Sequence, residues 1–330
     1  MEQFFSLIVR FSLRNLQKIY RTLKVHYGLN DFSTLRCAVA TTGTFDGVHQ
    51  GHQKILSQLV QKAAKVGGES VLLTFDPHPR KVLQPDVELS LLSSVDEKIR
   101  LLEKTGLDHL IIQPFTKEFS RTPSLEFVRE IMVNTIGVKH LVIGYDHHFG
   151  RNREGSFEHL KEFGPIYGFD VEEIQALDID QVNVSSTKIR KTLSTGQVDL
   201  ALEYLGHPYA LQGEVVEGDK IGRTIGFPTA NIRLQFADKL IPADGVYAGW
   251  AVHHGVRYAA MANIGRRPTV GSVKRSIEVH LLDASLELYG ESLTFELHHK
   301  IRDIVHFDSL EALTTQLGRD KEQTQQLLAQ

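Results

Sequence analysis

Residues 42–53 read Thr42-Gly43-Thr44-Phe45-Asp46-Gly47-Val48-His49-Gln50-Gly51-His52-Gln53, three glycines, an aspartate and two histidines in twelve positions. An apolar run at 37–40 leads in. Ile55, Leu56, Leu59, Val60 and Ala63 follow at helical spacing, so the stretch reads as a strand-to-helix turn. His49 and His52 are three apart and share one face at a helix start. Unpaired N–H groups and the positive end of the helix dipole make that place an anion site. Two imidazoles there can donate hydrogen bonds to a polyphosphate, and Gly51 lets the backbone come close. The glycines lack the G-x-G-x-x-G spacing of a dinucleotide loop, and no Walker-type lysine–serine pair follows. A tight turn with incidental histidines is the plain alternative.

Three further stretches carry chemistry-bearing residues. In Val184-Ser185-Ser186-Thr187-Lys188-Ile189-Arg190, either serine can cap a helix while Lys188 and Arg190 supply positive charge; an ordinary capped helix with a solvated basic face fits as well. Glycines at 218, 222 and 226 can wrap phosphate with backbone amides, and Pro228 stiffens the entry to Thr229 and Asn231. Those two lie two apart, so an extended backbone turns both the same way. Their hydroxyl and amide oxygens are hard ligands of the kind Mg²⁺ accepts; a glycine-rich hairpin is the alternative. Glu278 lies in a strand pattern where Ile277, Val279 and Leu281 face one way and Glu278 and His280 the other. It is a candidate base for a hydroxyl proton or else a solvated surface glutamate.

These residues need elements to hold them. Up to about residue 176, apolar runs at 37–40, 71–75, 109–112, 141–143 and 171–174 alternate with helical patterns at 54–66, 95–104, 125–136 and 157–163. That alternation predicts a parallel sheet covered by helices. The residues just past the runs are polar and histidine-rich: 43–52, 76–80 and 144–148. Ligands collect at that edge of such sheets. After residue 208 the period becomes two, with runs at 211–216, 246–252, 257–262, 275–282 and 292–297, which predicts an antiparallel sheet or small barrel. A charged helical tail runs from Ser309. The expected boundaries are an extension at 1–18, a first domain at 19–190, a helical linker at 191–207 and a second domain at 208–330.

With 330 residues, two domains are the natural expectation. A net charge of −3 argues against general affinity for nucleic acid. One cysteine leaves no intrachain disulfide framework, as expected in a reducing cytosol. Glu2, the missing basic n-region and the missing cleavage site argue against a secretory signal. No uncharged run nears the ~20 residues of a bilayer span. The expectation is a cytoplasmic protein without membrane or nucleic-acid partners, its oligomeric state left open, a monomer included.

His49-x-Gly51-His52 resembles the signature of the nucleotidyltransferase superfamily. The wider chain, roughly residues 19–330, resembles the bacterial bifunctional riboflavin kinase/FMN adenylyltransferase (FAD synthetase) family. The stretches that carry this are 43–52, Thr74-Phe75-Asp76-Pro77-His78-Pro79, 115–120, 144–155 and 184–190, followed by 227–231, 245–248, 263–269 and 278–283. The resemblance implies a Rossmann-like α/β nucleotidyltransferase domain, then a six-stranded antiparallel barrel with a C-terminal helix. It implies that riboflavin becomes FMN on the barrel and FMN becomes FAD on the first domain, with ATP as co-substrate and Mg²⁺ as the cation. His49 and His52 would then hold the ATP phosphates, with Gly43, Thr44, Phe45, Asp46, Gly51, Ser185, Ser186, Thr187, Lys188 and Arg190 around them. Asp76, Pro77, His78, Pro79 and Asp146 would border the flavin or adenine. Thr229 and Asn231 would bind Mg²⁺ and phosphate beside Gly222, Glu278 would be the base, and Arg302 would stand near the flavin entrance.

Two departures stand out. His147 and His148 occupy positions where many members carry phenylalanine and arginine, so a cation at 148 would be pH-dependent. Residues 1–17 precede the usual family start, as a native extension or a mis-assigned start codon. The rivals are a single-activity adenylyltransferase whose barrel only binds flavin, and a relative that has lost catalysis for an RNA-binding or regulatory role.

Overall fold

A computed structural model describes residues 22–144, 149–151, 154–174, 178–179, 182–218, 221–269, 272–284 and 286–329. Its contacts divide into two compact units. One comprises 1–44, 54–84 and 99–175; the other comprises 45–53, 85–98 and 176–330.

The first unit is built on strands β1 (Lys24–Tyr27), β2 (Ala38–Thr42), β3 (Glu69–Asp76), β4 (His109–Pro114), β5 (Val138–Gly144) and β6 (Asp170–Ile174). They form one sheet in the order β1-β4-β3-β2-β5-β6, and every pairing is parallel. β2 is buried along its whole length and β3 through Val71–Leu73, as strands covered on both faces require. The helix α1 (Gln50–Val66) follows β2 and buries Leu56, Leu59 and Ala63, the stripe its sequence spacing predicts. Helix α2 spans Val95–Leu102, and α3 spans Phe157–Tyr167. Leu73, Ile111, Phe127, Met132 and Leu141 belong to the core of this unit. From β2 the chain builds outward through β3 and β4, then returns to lay β5 on the other side. The strand order therefore switches beside β2, and ligand crevices in open parallel sheets form at such a switch, at the carboxyl ends. The 42–53 turn begins there. β1 lies outside the predicted runs because its short Lys-Val-His-Tyr pattern carries little apolar signal.

In the second unit, α4 (Ser186–Ser194) and α5 (Val198–Leu205) lead into a closed barrel. Its strands are β9 (Tyr209–Val216), β10 (Ala230–Leu234), β11 (Gly245–His253), β12 (Val256–Thr269), β13 (Ser272–Leu281) and β14 (Ser292–Arg302); a small ribbon, β7 (Asp178–Ile179) and β8 (Val182–Asn183), precedes them. The barrel order is β10-β13-β12-β11-β14-β9, all antiparallel. β9 alternates buried and part-exposed residues along its length, the period-two signature of an inward face. Tyr247, Phe295, Leu293, Val279 and Ala262 of the strands share one buried core with Ile189, Leu193 and Leu205 of the helices. β10 is a correction to the predicted strands. Its five residues include Asn231 and Arg233, too polar to read as a run, yet it closes the barrel. Helix α6 (Leu310–Leu328) is capped by Ser309, whose hydroxyl accepts from the Ala312 N–H at 3.1 Å.

Candidate active sites

The turn after β2 is strained and heavily tied. Phe45, Gly47 and Val48 all take left-handed backbone, with φ of 46°, 80° and 40°. For a β-branched valine this is costly, on the order of 1–3 kcal/mol, and it persists only where surroundings over-determine it. The Asp46 carboxylate supplies that constraint. It accepts from the Leu92 N–H at 3.0 Å, the Ser93 N–H at 3.0 Å and the Arg190 Nη2 at 2.5 Å. The Ser93 hydroxyl in turn accepts from the Gly47 N–H at 3.0 Å. A Cβ on Gly47 would stand 2.9 Å from a methyl of Leu92, so both space and φ require glycine there.

His49 is the N-cap of α1. Its carbonyl accepts from the Gln53 N–H at 2.9 Å, and its Nδ1 accepts from the His52 N–H at 3.4 Å. That bond leaves the ring proton on Nε2, where it can be donated outward. The His49 and His52 rings stack 3.6 Å apart at 16°, and His52 stacks on Phe45 at 4.4 Å. Desolvation holds the His49 pKa down to about 4, against the opposing pull of Asp46, and pushes His52 well below its ordinary value. At neutral pH both rings are neutral donors. Nδ1 of His52 is buried with no hydrogen-bond partner among the described residues, as expected of a ring whose partner is a ligand. Gly51 also makes room within the turn. A Cβ there would press on the His49 ring at 3.2 Å, so the glycine keeps room for the imidazole.

The 184–190 stretch meets this turn directly. Ser185 caps α4 by accepting from the Lys188 N–H at 3.3 Å. The Ser186 hydroxyl donates to the Asp46 carbonyl at 3.0 Å, and Arg190 spans from Asp46 to the Ser90 carbonyl at 2.8 Å. Residues 144 apart thus form one polar cluster. The segment that feeds amides to Asp46 is itself fastened. Buried Lys239 donates to the Leu92 carbonyl at 2.7 Å and to both Glu97 oxygens at 3.0 and 2.8 Å. Neither Lys239 nor Glu97 carried a sequence signal, since nothing local marks a lysine for burial.

On the barrel, the polar candidates fall in one register row. Asn231 lies opposite Glu278, Glu278 opposite Asn263, Asn263 opposite Val246 and Val246 opposite Arg302. The flanking Ala230, Ile232, Ile277, Val279, Ala262 and Ile264 are buried, whereas Asn231, Glu278, Asn263 and Arg302 are at least part-exposed; Val246 alone in the row is covered. Two glycines stand against the candidate ligands. A Cβ on Gly218 would come within 2.2 Å of the Asn231 amide nitrogen, and one on Gly222 would meet the Phe227 carbonyl at 2.2 Å and the Thr229 hydroxyl at 3.7 Å. Any side chain would fill this cradle, and its hydroxyl, amide and carboxylate oxygens fit a hard divalent cation with phosphate. His280 Nδ1 donates to the Pro228 carbonyl at 2.7 Å and pins the Thr229 segment. Burial lowers its pKa, so the ring stays neutral. Ser276 donates to Glu278 at 3.2 Å.

The sequence profile of FAD synthetase matches residues 32–188, and that of riboflavin kinase matches residues 205–328. The bifunctional riboflavin kinase/FMN adenylyltransferase of Escherichia coli (strain K12) is 38% identical over 284 residues, 86% of this chain and 90% of that protein. Its Pseudomonas fluorescens counterpart is 39% identical over 286 residues, 86% of this chain and 91% of that one. The chain belongs to the bifunctional riboflavin kinase/FMN adenylyltransferase family. The crystal structure of a macrolide-efflux protein from Streptococcus pneumoniae is also similar, with a TM-score of 0.84 and 31% identity over 92% of this chain and 98% of that one. Among the described residues, no helix is long and apolar enough to cross a membrane.

The remaining candidates of this family member are placed as follows. Asp76 ends β3 and Pro77 follows it, both exposed and joined by a cis peptide. His78 caps the short helix Pro79–Leu83, its Nδ1 accepting from the Arg80 N–H at 3.1 Å. Beside them Phe75, Phe115 and Phe119, from the 74–79 and 115–120 stretches, meet at 5.4–5.8 Å as an aromatic group at the carboxyl ends of β3 and β4, a grouping that no local pattern shows. Arg302 is held by Asp320 at 2.8 and 3.0 Å and by the Asp303 carbonyl at 3.0 Å. Gly43 anchors the turn to β3 through its N–H and the Leu73 carbonyl at 3.1 Å. Thr44 accepts from the Thr74 hydroxyl through its carbonyl, and Thr187 is exposed on α4. Asp146, His147 and His148 lie outside the described residues.

Proposed function

We propose that the residue roles divide between two ATP-dependent steps, with riboflavin phosphorylated to FMN on the barrel and FMN adenylylated to FAD and pyrophosphate at the His49–His52 turn. The division follows the expected domains at 19–190 and 208–330, with 191–207 as the linker. The observation that carries the kinase half over a flavin-binding barrel is the cross-strand pairing of Asn231 with Glu278 beside the Gly218–Gly222 cradle.

In the kinase step, Glu278 takes the proton from the ribityl 5′-hydroxyl as its oxygen attacks the γ-phosphate of ATP, and ADP leaves. Thr229 and Asn231 would hold Mg²⁺, which when bound offsets charge on the phosphates. In the adenylylation step, a phosphate oxygen of FMN attacks the α-phosphate of a second ATP and the bond to pyrophosphate breaks. Neutral His49 and His52 donate N–H bonds to the phosphate oxygens, and no proton need leave them. Ser186, Thr187, Lys188 and the N-terminus of α4 add positive potential. Asp46 and Arg190, already engaged with each other, act as positioning residues that hold the turn. We assign the phenylalanines at 75, 115 and 119, with the 76–79 turn, to the flavin ring, whose flat apolar surface suits an aromatic group.

The test is chromatography of flavin products from the purified chain with riboflavin, ATP and Mg²⁺. Wild type forms FMN and then FAD. His49→Ala and His52→Ala stop at FMN. Asn231→Ala forms no FMN from riboflavin but still converts supplied FMN to FAD. FMN formation at the wild-type rate in Asn231→Ala overturns the kinase assignment, and continued FAD formation in both histidine variants overturns the phosphate-site assignment.

A further inference from the structure

At one end of the barrel, β11 and β12 are joined by the two residues His254 and Gly255. Both take left-handed backbone, with φ of 47° and 77°, a pairing typical of a tight two-residue hairpin. Histidine is among the few residues other than glycine that tolerate this conformation. The His254 ring lies 4.1 Å from that of His253, the last residue of β11. Its Nε2 stands 3.5 Å from the Glu291 carboxylate, just before β14. His253 Nδ1 donates to the Ser292 carbonyl at 3.3 Å, so its lone pair is on Nε2.

Each of His253, His254 and Glu291 thus offers one ligand atom, and the three lie within 4.8 Å of one another. A tetrahedral zinc ion with bonds of ~2.0–2.1 Å holds its ligand atoms about 3.4 Å apart. His254 and Glu291 are largely exposed, so rotation of their side chains closes the difference without moving backbone. We propose that His253, His254 and Glu291 form a binding site for a zinc-class divalent ion, with water as the fourth ligand. Two imidazoles and one carboxylate favour Zn²⁺ or its neighbours over Mg²⁺, which prefers an all-oxygen shell. A carbonyl bound to the far nitrogen of a ligating histidine is the usual device that fixes ring orientation. Binding there clips the β11–β12 hairpin to the start of β14. The site is independent of both catalytic assignments.

The test titrates the full chain, free of nucleotide, with Zn²⁺ in competition with a chelating dye. His254→Asn keeps the turn, because asparagine adopts the same left-handed backbone, and Glu291→Gln keeps the shape of the side chain. Saturable binding in wild type, weakened at least tenfold in each variant, supports the site. The melting temperature of wild type then rises with Zn²⁺ concentration while that of the variants does not. Equal affinity in all three proteins, or no saturable binding in wild type, overturns it. Far-UV circular dichroism of the variants confirms that they remain folded.

Discussion

Asn231 and Glu278 stand directly opposite each other on neighbouring antiparallel strands, and Gly218 leaves the space the Asn231 amide occupies. Opposed residues on one face have Cβ atoms roughly 4.5–5.5 Å apart. A hydroxyl held over this pair would meet a carboxylate and an amide oxygen together, as the proposed base and metal ligand require. Removing the base while keeping the shape isolates its contribution. Glu278→Gln should slow FMN formation by about 10²–10⁴-fold, the usual range for a lost general base, while supplied FMN is adenylylated at the wild-type rate. Initial rates of both steps by chromatography check this; parallel loss of both would contradict the division of roles.

Gly218 offers a subtler probe of the same site. A methyl there would stand 2.2 Å from the Asn231 amide nitrogen, so the amide must move. Gly218→Ala should reduce the kinase rate roughly tenfold, equivalent to about 1.4 kcal/mol of barrel-site barrier. The melting temperature should change little, because the glycine sits in a part-exposed loop. An unchanged kinase rate would mean that Asn231 does not need its present position.

The turn histidines make a prediction about pH. Burial lowers the His49 pKa from 6.5 to about 4, so the folded protein binds fewer protons than the unfolded chain between those values. The stability involved is fully present above pH 6.5 and is lost as pH falls towards 4, by about 3 kcal/mol across the window. His49→Gln should flatten that part of the stability profile in urea titrations. Adenylylation should show no imidazole titration between pH 6.5 and 8, since the ring is neutral throughout. A His49 ring titrating near 6.5 by NMR would refute this.

Lys239 tests how firmly the turn depends on its fastening. Its Nζ donates to the Leu92 carbonyl and to Glu97, while the Leu92 N–H is donated to Asp46. Lys239→Met removes the cation from part-buried Glu97, which keeps the Ser94 N–H at 2.8 Å, and should destabilise by about 2–4 kcal/mol. It should also raise the KM for ATP in adenylylation. Adding Glu97→Gln should restore part of the stability, giving a non-additive double-mutant cycle. Strict additivity would show that the pair is not coupled.

Much of this protein was legible before any fold was known. The 3.6-residue spacing of Leu56, Leu59 and Ala63 became the buried face of α1, and Ser185 capped α4 as its type and place suggested. The alternation around Glu278 put Ile277 and Val279 inside the barrel and Glu278 outside it. Such features are local, because a side chain and its neighbours three or four residues away share one helix face, and those two away share one strand face.

What only the tertiary structure decided is long-range. Asp46 read as a phosphate contact, but it is Arg190, Leu92 and Ser93 that surround its carboxylate. At Gly51 the fold adds a constraint that no local pattern carries, the room taken by the His49 ring. β10 was hidden by its polarity, and the pairing of Asn231 with Glu278 depends on a register set by barrel closure. The neutrality of both histidines comes from desolvation, which depends on how much chain folds over them. Residue order encodes the periodicity of each element, whereas partners and burial are fixed only when distant segments share one interior.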